Sequence, residues 1–226
     1  MDATNTDFHT GHRNRLRQKF LDDKLADYEL LELMLGYVIP RRDVRPLARG
    51  LIKQFGGINQ ILTAPLDDLI AFPGMGRNTA IFFKVINHIM IIGYAEKLKE
   101  RPVFHNEQIL TNYCRAVLSG KTVEEFHVLY LDDEMRLVAD DVHTRGTSDE
   151  SAVYQREILK RALVLNASCI VMLHNHPTPG RSFSTDDVNT TLAVEKFLDA
   201  VGVRLYDHYV VSGGIVYSMR GMHLLK

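Results

Sequence analysis

Two cysteines in 226 residues, no tryptophan and a net charge of −1 remove several protein classes at once. Cys114 and Cys169 are far apart and form no C-x-x-C pair. That excludes a disulfide framework and a thiolate zinc site, and reduced thiols in a cytoplasmic setting are expected. Near-neutral charge gives no global attraction to nucleic acid, so any such contact must come from a local patch. No apolar N-terminal segment of the secretory kind occurs, and no apolar run reaches roughly 18 residues, so neither export nor a membrane partner is expected. Repeats and low-complexity tracts are missing as well. What is present is ordinary globular composition, 46% hydrophobic and 24% charged. The length suits one domain or two small ones with a real core.

The stretch from Val171 to Asp187 carries the chemistry. Ser168–Leu173 is an apolar run that reads as a short buried strand ending on His174-Asn175-His176. Residues two apart in a strand face the same side, so both imidazoles can address one point. The loop holding Pro177, Pro179 and Gly180 is long enough to bring Asp187 back to that point. Two imidazoles, one carboxylate and a water make an open zinc set of the catalytic type. A plainer reading stands beside it. Ser184-x-x-Asp187 before an apolar-periodic run is also a helix N-cap box, and a histidine pair at a loop edge is more often a solvated turn. The readings overlap, since Ser184 can cap the helix while Asp187 turns inward.

The first hundred residues read as helices. Met1–Thr10 is polar and expected to be loose. Gly11–Leu21 spreads Arg13, Arg15, Arg17 and Lys19 over a wide arc, the pattern of a solvated face. Asp27 is placed to cap a helix with a Leu30/Leu31/Met34/Leu35 stripe. Val44–Gln54 forms another, ended by Gly56-Gly57. Leu66–Ala71, then Phe72-Pro73-Gly74-Met75-Gly76, then Arg77-Asn78-Thr79-Ala80 makes a helix-hairpin-helix pattern. Gly74 and Gly76 let the backbone approach a phosphate, and Arg77 or Asn78 adds a donor at the next helix N-terminus. Such contacts would hold DNA without reading its sequence. The plain alternative is an αα-hairpin whose glycines serve only the turn. His88 reads as a packed or edge histidine. Lys97–Pro102, charged and broken by proline, is the expected boundary between a domain of residues 1–102 and one of 103–226.

Beyond it the pattern alternates. Ile109–Leu118 is a helix, and Phe126–Leu131 with Arg136–Val142 a β-hairpin. Tyr154–Leu165 is a helix leading into the histidine strand. Asp187–Val201 is a further helix, and Val203–Ser212 with Ile215–Ser218 a closing hairpin. The fold class is α/β: an all-helical N-terminal domain, then a mixed sheet with flanking helices.

His174-x-His176-x7-Ser184-x2-Asp187 resembles the signature of JAMM/MPN+ metalloproteases. Nearly the whole chain resembles the RadC family, whose His-Asn-His-Pro-Ser-Gly appears here as His174-Asn175-His176-Pro177-Thr178-Pro179, with Thr178-Pro179 in place of Ser-Gly. The resemblance implies a cytidine-deaminase-like JAMM domain behind a helix-hairpin-helix. It implies Zn2+ on His174, His176 and Asp187, and hydrolysis of a peptide or isopeptide bond. By the same resemblance Glu124, in Glu124-Glu125-Phe126, is the general base, with Glu125 its confounder by a one-residue shift and Glu157 a weaker candidate. Ser184 would stabilise the oxyanion, and Asp207-His208 would support the site from behind. His143, His127 and His105 have no partner spacing. Two alternatives remain: a nuclease or other nucleic-acid enzyme using the same metal, and a DNA-binding or repair-associated protein whose metal is structural. Zinc deaminases are disfavoured because they require a Pro-Cys-x-x-Cys element, which is missing.

Overall fold

The computed structural model describes residues 4–105, 107–145 and 151–225. The chain divides into two compact units, Met1–Asn87 and His88–Lys226.

The first unit is helical: α1 (Thr4–Leu21), α2 (Asp27–Val38), α3 (Arg45–Phe55), α4 (Ile58–Thr63), α5 (Leu66–Ala71) and the start of α6 (Arg77–Glu100). Its core is built from Leu31, Leu35, Leu51, Ile61, Leu69 and Phe83, all fully buried. Each such side chain contributes about 1.5–3 kcal/mol by leaving water. Pro46 opens α3, and Gly56 ends it in the left-handed conformation, φ 97°, donating its N–H to the Ile52 carbonyl. The cap of α2 differs from expectation. Ala26, not Asp27, holds the extended N-cap backbone; Glu29 reaches back to accept from the Ala26 N–H at 3.2 Å. Asp27 instead sits in the first turn, where its carboxylate meets the positive end of the helix dipole. Nor is Arg13 merely a solvated cation. Its guanidinium donates to the carbonyls of Ile39, Pro40 and Arg42, satisfying the break after α2. The helix α1 takes in most of the N-terminal stretch expected to be loose, beginning at Thr4; Met1–Ala3 lie outside the described residues.

The second unit holds the rest of α6, a 3-10 turn (Val103–His105), α7 (Glu107–Leu118), β1 (Glu125–Leu131), β2 (Leu137–Arg145), α8 (Ser151–Val164), β3 (Cys169–His176), α9 (Thr185–Asp199), β4 (Arg204–Ser212) and β5 (Ile215–Ser218). The helix α6 continues through Lys97–Glu100 unbroken, with Leu98 fully buried in this unit's core. The charged run is therefore a helix end. The division by contacts falls inside α6, at Asn87/His88, some way before the expected boundary near Pro102.

The sheet order is β2-β1-β3-β4-β5, antiparallel except for β3 with β4. Alternation along β1 and β3 feeds two cores. Leu129, Leu131, Val171 and Leu173 face one side with α7; Phe126, Val128, Tyr130, Ile170 and Met172 face the other with α8 and α9. Burial on both faces explains why β3 is nearly continuous in apolar residues. The helix α9 carries the crossover between the parallel strands β3 and β4. Its N-terminus lies beyond the carboxyl end of β3, the place where open α/β sheets collect ligands. Among the described residues no helix is long and apolar enough to cross a membrane.

Candidate metal centre

The strand period puts His174 and His176 on the α9 side of β3, with their Nε2 atoms 3.1 Å apart. His174 is 1% exposed. Phe126, its register partner on β1, lies almost parallel to its ring at 18°, and Phe183 meets it edge-on. Asp187 comes from the first turn of α9. Its Oδ1 is 3.2 Å from His174 Nε2 and its Oδ2 3.4 Å from His176 Nε2. The capping and inward-facing readings of this residue coexist. Ser184 is the N-cap: its Oγ accepts from the Asp187 N–H at 3.1 Å and donates to Asp187 Oδ2 at 2.7 Å, while the Ser184 N–H donates to the same oxygen. Burial by itself would raise the Asp187 carboxyl. The hydrogen bond and charge of His174 in its protonated form, and then the Ser184 hydroxyl and amide, outweigh it and hold the group well below the usual carboxylate range.

Three separations of 3.1–3.4 Å test the fit to a metal. Donors about 2.0–2.1 Å from a tetrahedral zinc stand about 3.3–3.4 Å from one another. The two histidine nitrogens, 3.1 Å apart, are near that spacing, and Asp187 reaches each of them through a different oxygen, at 3.2 and 3.4 Å; nitrogen with oxygen is a donor set that zinc accepts.

The proton positions behind these donors follow from single-donor arithmetic. The Thr191 hydroxyl lies 2.6 Å from the Asp187 carbonyl, which can only accept, so its one proton goes there. It must then accept from His208 Nδ1, also at 2.6 Å. His208 is fully buried, and burial holds its imidazole well below the ordinary range, with His174 acting in the same direction. A neutral His208 protonated on Nδ1 offers a lone pair at Nε2, which accepts from His174 Nδ1 at 2.8 Å. His174 thereby presents Nε2 to the site as a ligand. His176 Nδ1 points at the Arg181 carbonyl, 3.4 Å away. Ser212 anchors that loop, donating to the Thr178 carbonyl and accepting from the Arg181 N–H. Asp207 supports the strand's far side: it accepts from the backbone N–H groups of His208 and Arg220 and from the Ser218 hydroxyl.

Glu124 and Glu125 part company. Glu124 stands exposed just ahead of β1, and one carboxylate oxygen lies within 4.8 Å of ligand nitrogens of both His174 and His176. Glu125 turns to the opposite face, where it is buried against Lys121 at 3.1 Å and His127 at 3.5 Å. His127 in turn holds Asp140 at 2.9 Å. Glu157 is exposed on α8 and does not join the cluster; its neighbour His143 pairs with the Tyr130 hydroxyl. His88 is exposed on α6, and His105 lies against Phe104.

The hairpin residues belong to the first unit. Gly74 has φ 88°, the left-handed region that favours glycine; a Cβ there would meet only the movable end of the Arg42 side chain. Gly76, Arg77 and Asn78 are exposed at the N-terminus of α6. Thr191, Asn175 and Ser212 were not singled out by sequence. The sole signal for Thr191 was its place one turn after Asp187 on the inner face of α9.

A mixed sheet with His-x-His at the end of a central strand and an aspartate on the next helix defines a domain of the JAB type. Residues 104–224 match the RadC-like JAB domain family. Over 212 residues the chain is 38% identical to a UPF0758 protein of Ruegeria pomeroyi, spanning 92% of this chain and 95% of that one. The chain belongs to the RadC family.

Proposed function

We propose that this protein is a zinc-dependent hydrolase acting on a peptide or isopeptide bond. The observation that carries the reading is the gathering of His174 and His176, 3.1 Å apart, with the Asp187 carboxylate against both and a Glu124 oxygen within 4.8 Å of both. When bound, zinc supplies Lewis acidity and lowers the pKa of a water to about 7. The chain's own residues do the rest. The relay from Thr191 through His208 keeps His174 Nε2 unprotonated, and the Arg181 carbonyl does the same for His176. Glu124 accepts the proton of the attacking water and returns it to the departing amine. Ser184 donates to the developing oxyanion, which requires its proton to turn from Asp187 Oδ2 toward substrate. Phe126 and Phe183 line the histidines and lower the local dielectric.

A cytoplasmic setting fits the two buried free thiols, Cys169 being pushed up to about 11 by burial. A second reading, sequence-independent DNA contact, is favoured by the exposed Gly76, Arg77 and Asn78 after the tight Gly74 turn.

Metal analysis by mass spectrometry on protein purified without added metal comes first, comparing wild type with His174→Ala/His176→Ala. About one zinc per chain, lost in the variant, is expected. A panel of peptide and isopeptide substrates then follows, with Glu124→Gln as the inactive control. No metal in either protein, with the fold intact, refutes the hydrolase and leaves DNA binding by the hairpin to be measured against salt.

A further inference from the structure

The residue between the two histidines has a task of its own. Asn175 points away from the metal face, as strand alternation requires, and is 2% exposed. Its Oδ1 accepts from the Glu125 N–H at 2.9 Å, and its Nδ2 donates to the Val123 carbonyl at 3.0 Å. These two backbone groups flank Glu124 on either side. The β1–β3 register runs to the Phe126–His174 pair. The Asn175 side-chain amide carries the connection one residue further, and the peptide units on both sides of Glu124 are held.

We infer that Asn175 is a positioning residue: it clamps the backbone around Glu124 and so sets that carboxylate beside the histidine nitrogens. The chemistry selects the amide. Only Asn or Gln offers an acceptor and a donor at one planar end, and Gln is one methylene too long for a backbone already at 2.9–3.0 Å. Asn175→Asp keeps the acceptor for Glu125 but sets a carboxylate oxygen against the Val123 carbonyl. One dipeptide thus carries two functions on opposite faces of a strand: His174 for the ion, Asn175 for the base. This inference rests on Glu124 as the general base of the proposed hydrolase.

The test uses the full zinc-loaded chain as wild type, Asn175→Asp, Asn175→Ala, Glu124→Gln and the double variant Asn175→Asp/Glu124→Gln. Amide hydrogen exchange followed by mass spectrometry is read on the segment containing Val123 to Glu125 and on β1. Zinc content and turnover of a substrate cleaved by wild type are read alongside. In Asn175→Ala exchange at Glu125 becomes roughly tenfold faster while Val128–Tyr130 stays protected; Asn175→Asp, which keeps that acceptor and loses the bond to the Val123 carbonyl, is deprotected less. Zinc remains bound, kcat falls about a hundredfold at unchanged KM, and the double variant is no slower than Glu124→Gln. Unchanged protection at Glu125 in Asn175→Ala, loss of zinc, wild-type kcat, additive losses in the double variant, or loss of protection throughout β1 in both variants would each overturn it. If wild type cleaves nothing, the hydrolase reading fails by itself, and the exchange arm still decides whether Asn175 holds the segment.

Discussion

Replacing Thr191 by valine keeps the shape of the side chain and deletes one hydroxyl, 0% exposed. That hydroxyl orders a chain of protons ending on a metal-facing nitrogen: Asp187 carbonyl, Thr191, His208, His174. In Thr191→Val the His208 Nδ1–H either remains as an unsatisfied buried donor, costing about 1–3 kcal/mol, or the ring adopts the other tautomer. The second outcome turns an N–H toward His174 Nδ1, moves the His174 proton to Nε2 and sets it against the metal. Either route makes the metal-ready arrangement less favourable. Outer partners of this kind are worth about 10–100-fold in metal affinity, which is about 1.4–2.7 kcal/mol. Zinc competition against a chromogenic chelator at fixed pH measures the shift directly. Thr191→Ser, which restores the hydroxyl, should recover most of it. Wild-type zinc affinity in Thr191→Val, with the fold intact by circular dichroism, refutes the relay.

Three further outcomes are expected. His143 is held below its ordinary value of 6.5, first by burial. The unfolded chain therefore binds a proton that the folded one resists, and this stability is present above the unfolded value and lost as pH falls from there through the lower folded value. Urea midpoints at pH 7.5 and 5.5 should converge in His143→Gln relative to wild type, and an unchanged pH slope would contradict the assignment. Asp207→Asn leaves one of three donors facing an amide N–H₂ and should cost about 1–3 kcal/mol, read by urea denaturation; a change below about 0.5 kcal/mol is the range of ordinary surface sites and would show that Asp207 is not holding the end of the sheet. Saturating zinc at about 1,000 Kd should stabilise wild type by about 4 kcal/mol; the same thermal shift in His174→Ala would place the ion elsewhere.

The sequence carried some parts of this molecule better than others. Cys169–His176 was legible because a central strand buried on both faces admits only an apolar run, and the histidines interrupt it where the strand emerges. The gathering of His174, His176 and Asp187 required only a strand, a turn and a helix adjacent in sequence. Glu124 and Glu125 could not be separated by the residues alone, because one step of register exchanges the two faces of the sheet. Thr191, Asn175 and Ser212 are small polar residues of the commonest kinds. Their partners lie on distant strands, and no local pattern marks a hydroxyl whose significance is the direction of one proton. The unit division within α6 was hidden for the opposite reason: Lys97–Glu100 looks like a linker and is a helix end, with Leu98 buried beneath it.

The order of events in folding follows from the same arrangement. His174, His176 and Asp187 belong to one short stretch, β3 and the start of α9, and loops of about ten residues close in about 10–100 ns. Glu125 and Asn175, by contrast, are 50 residues apart, and their bond forms only when β1 has found β3. On the proposed reading, the gathering of His174, His176 and Asp187 is a local event, and the placement of Glu124, like the His208 contact behind His174, is a non-local, slower one.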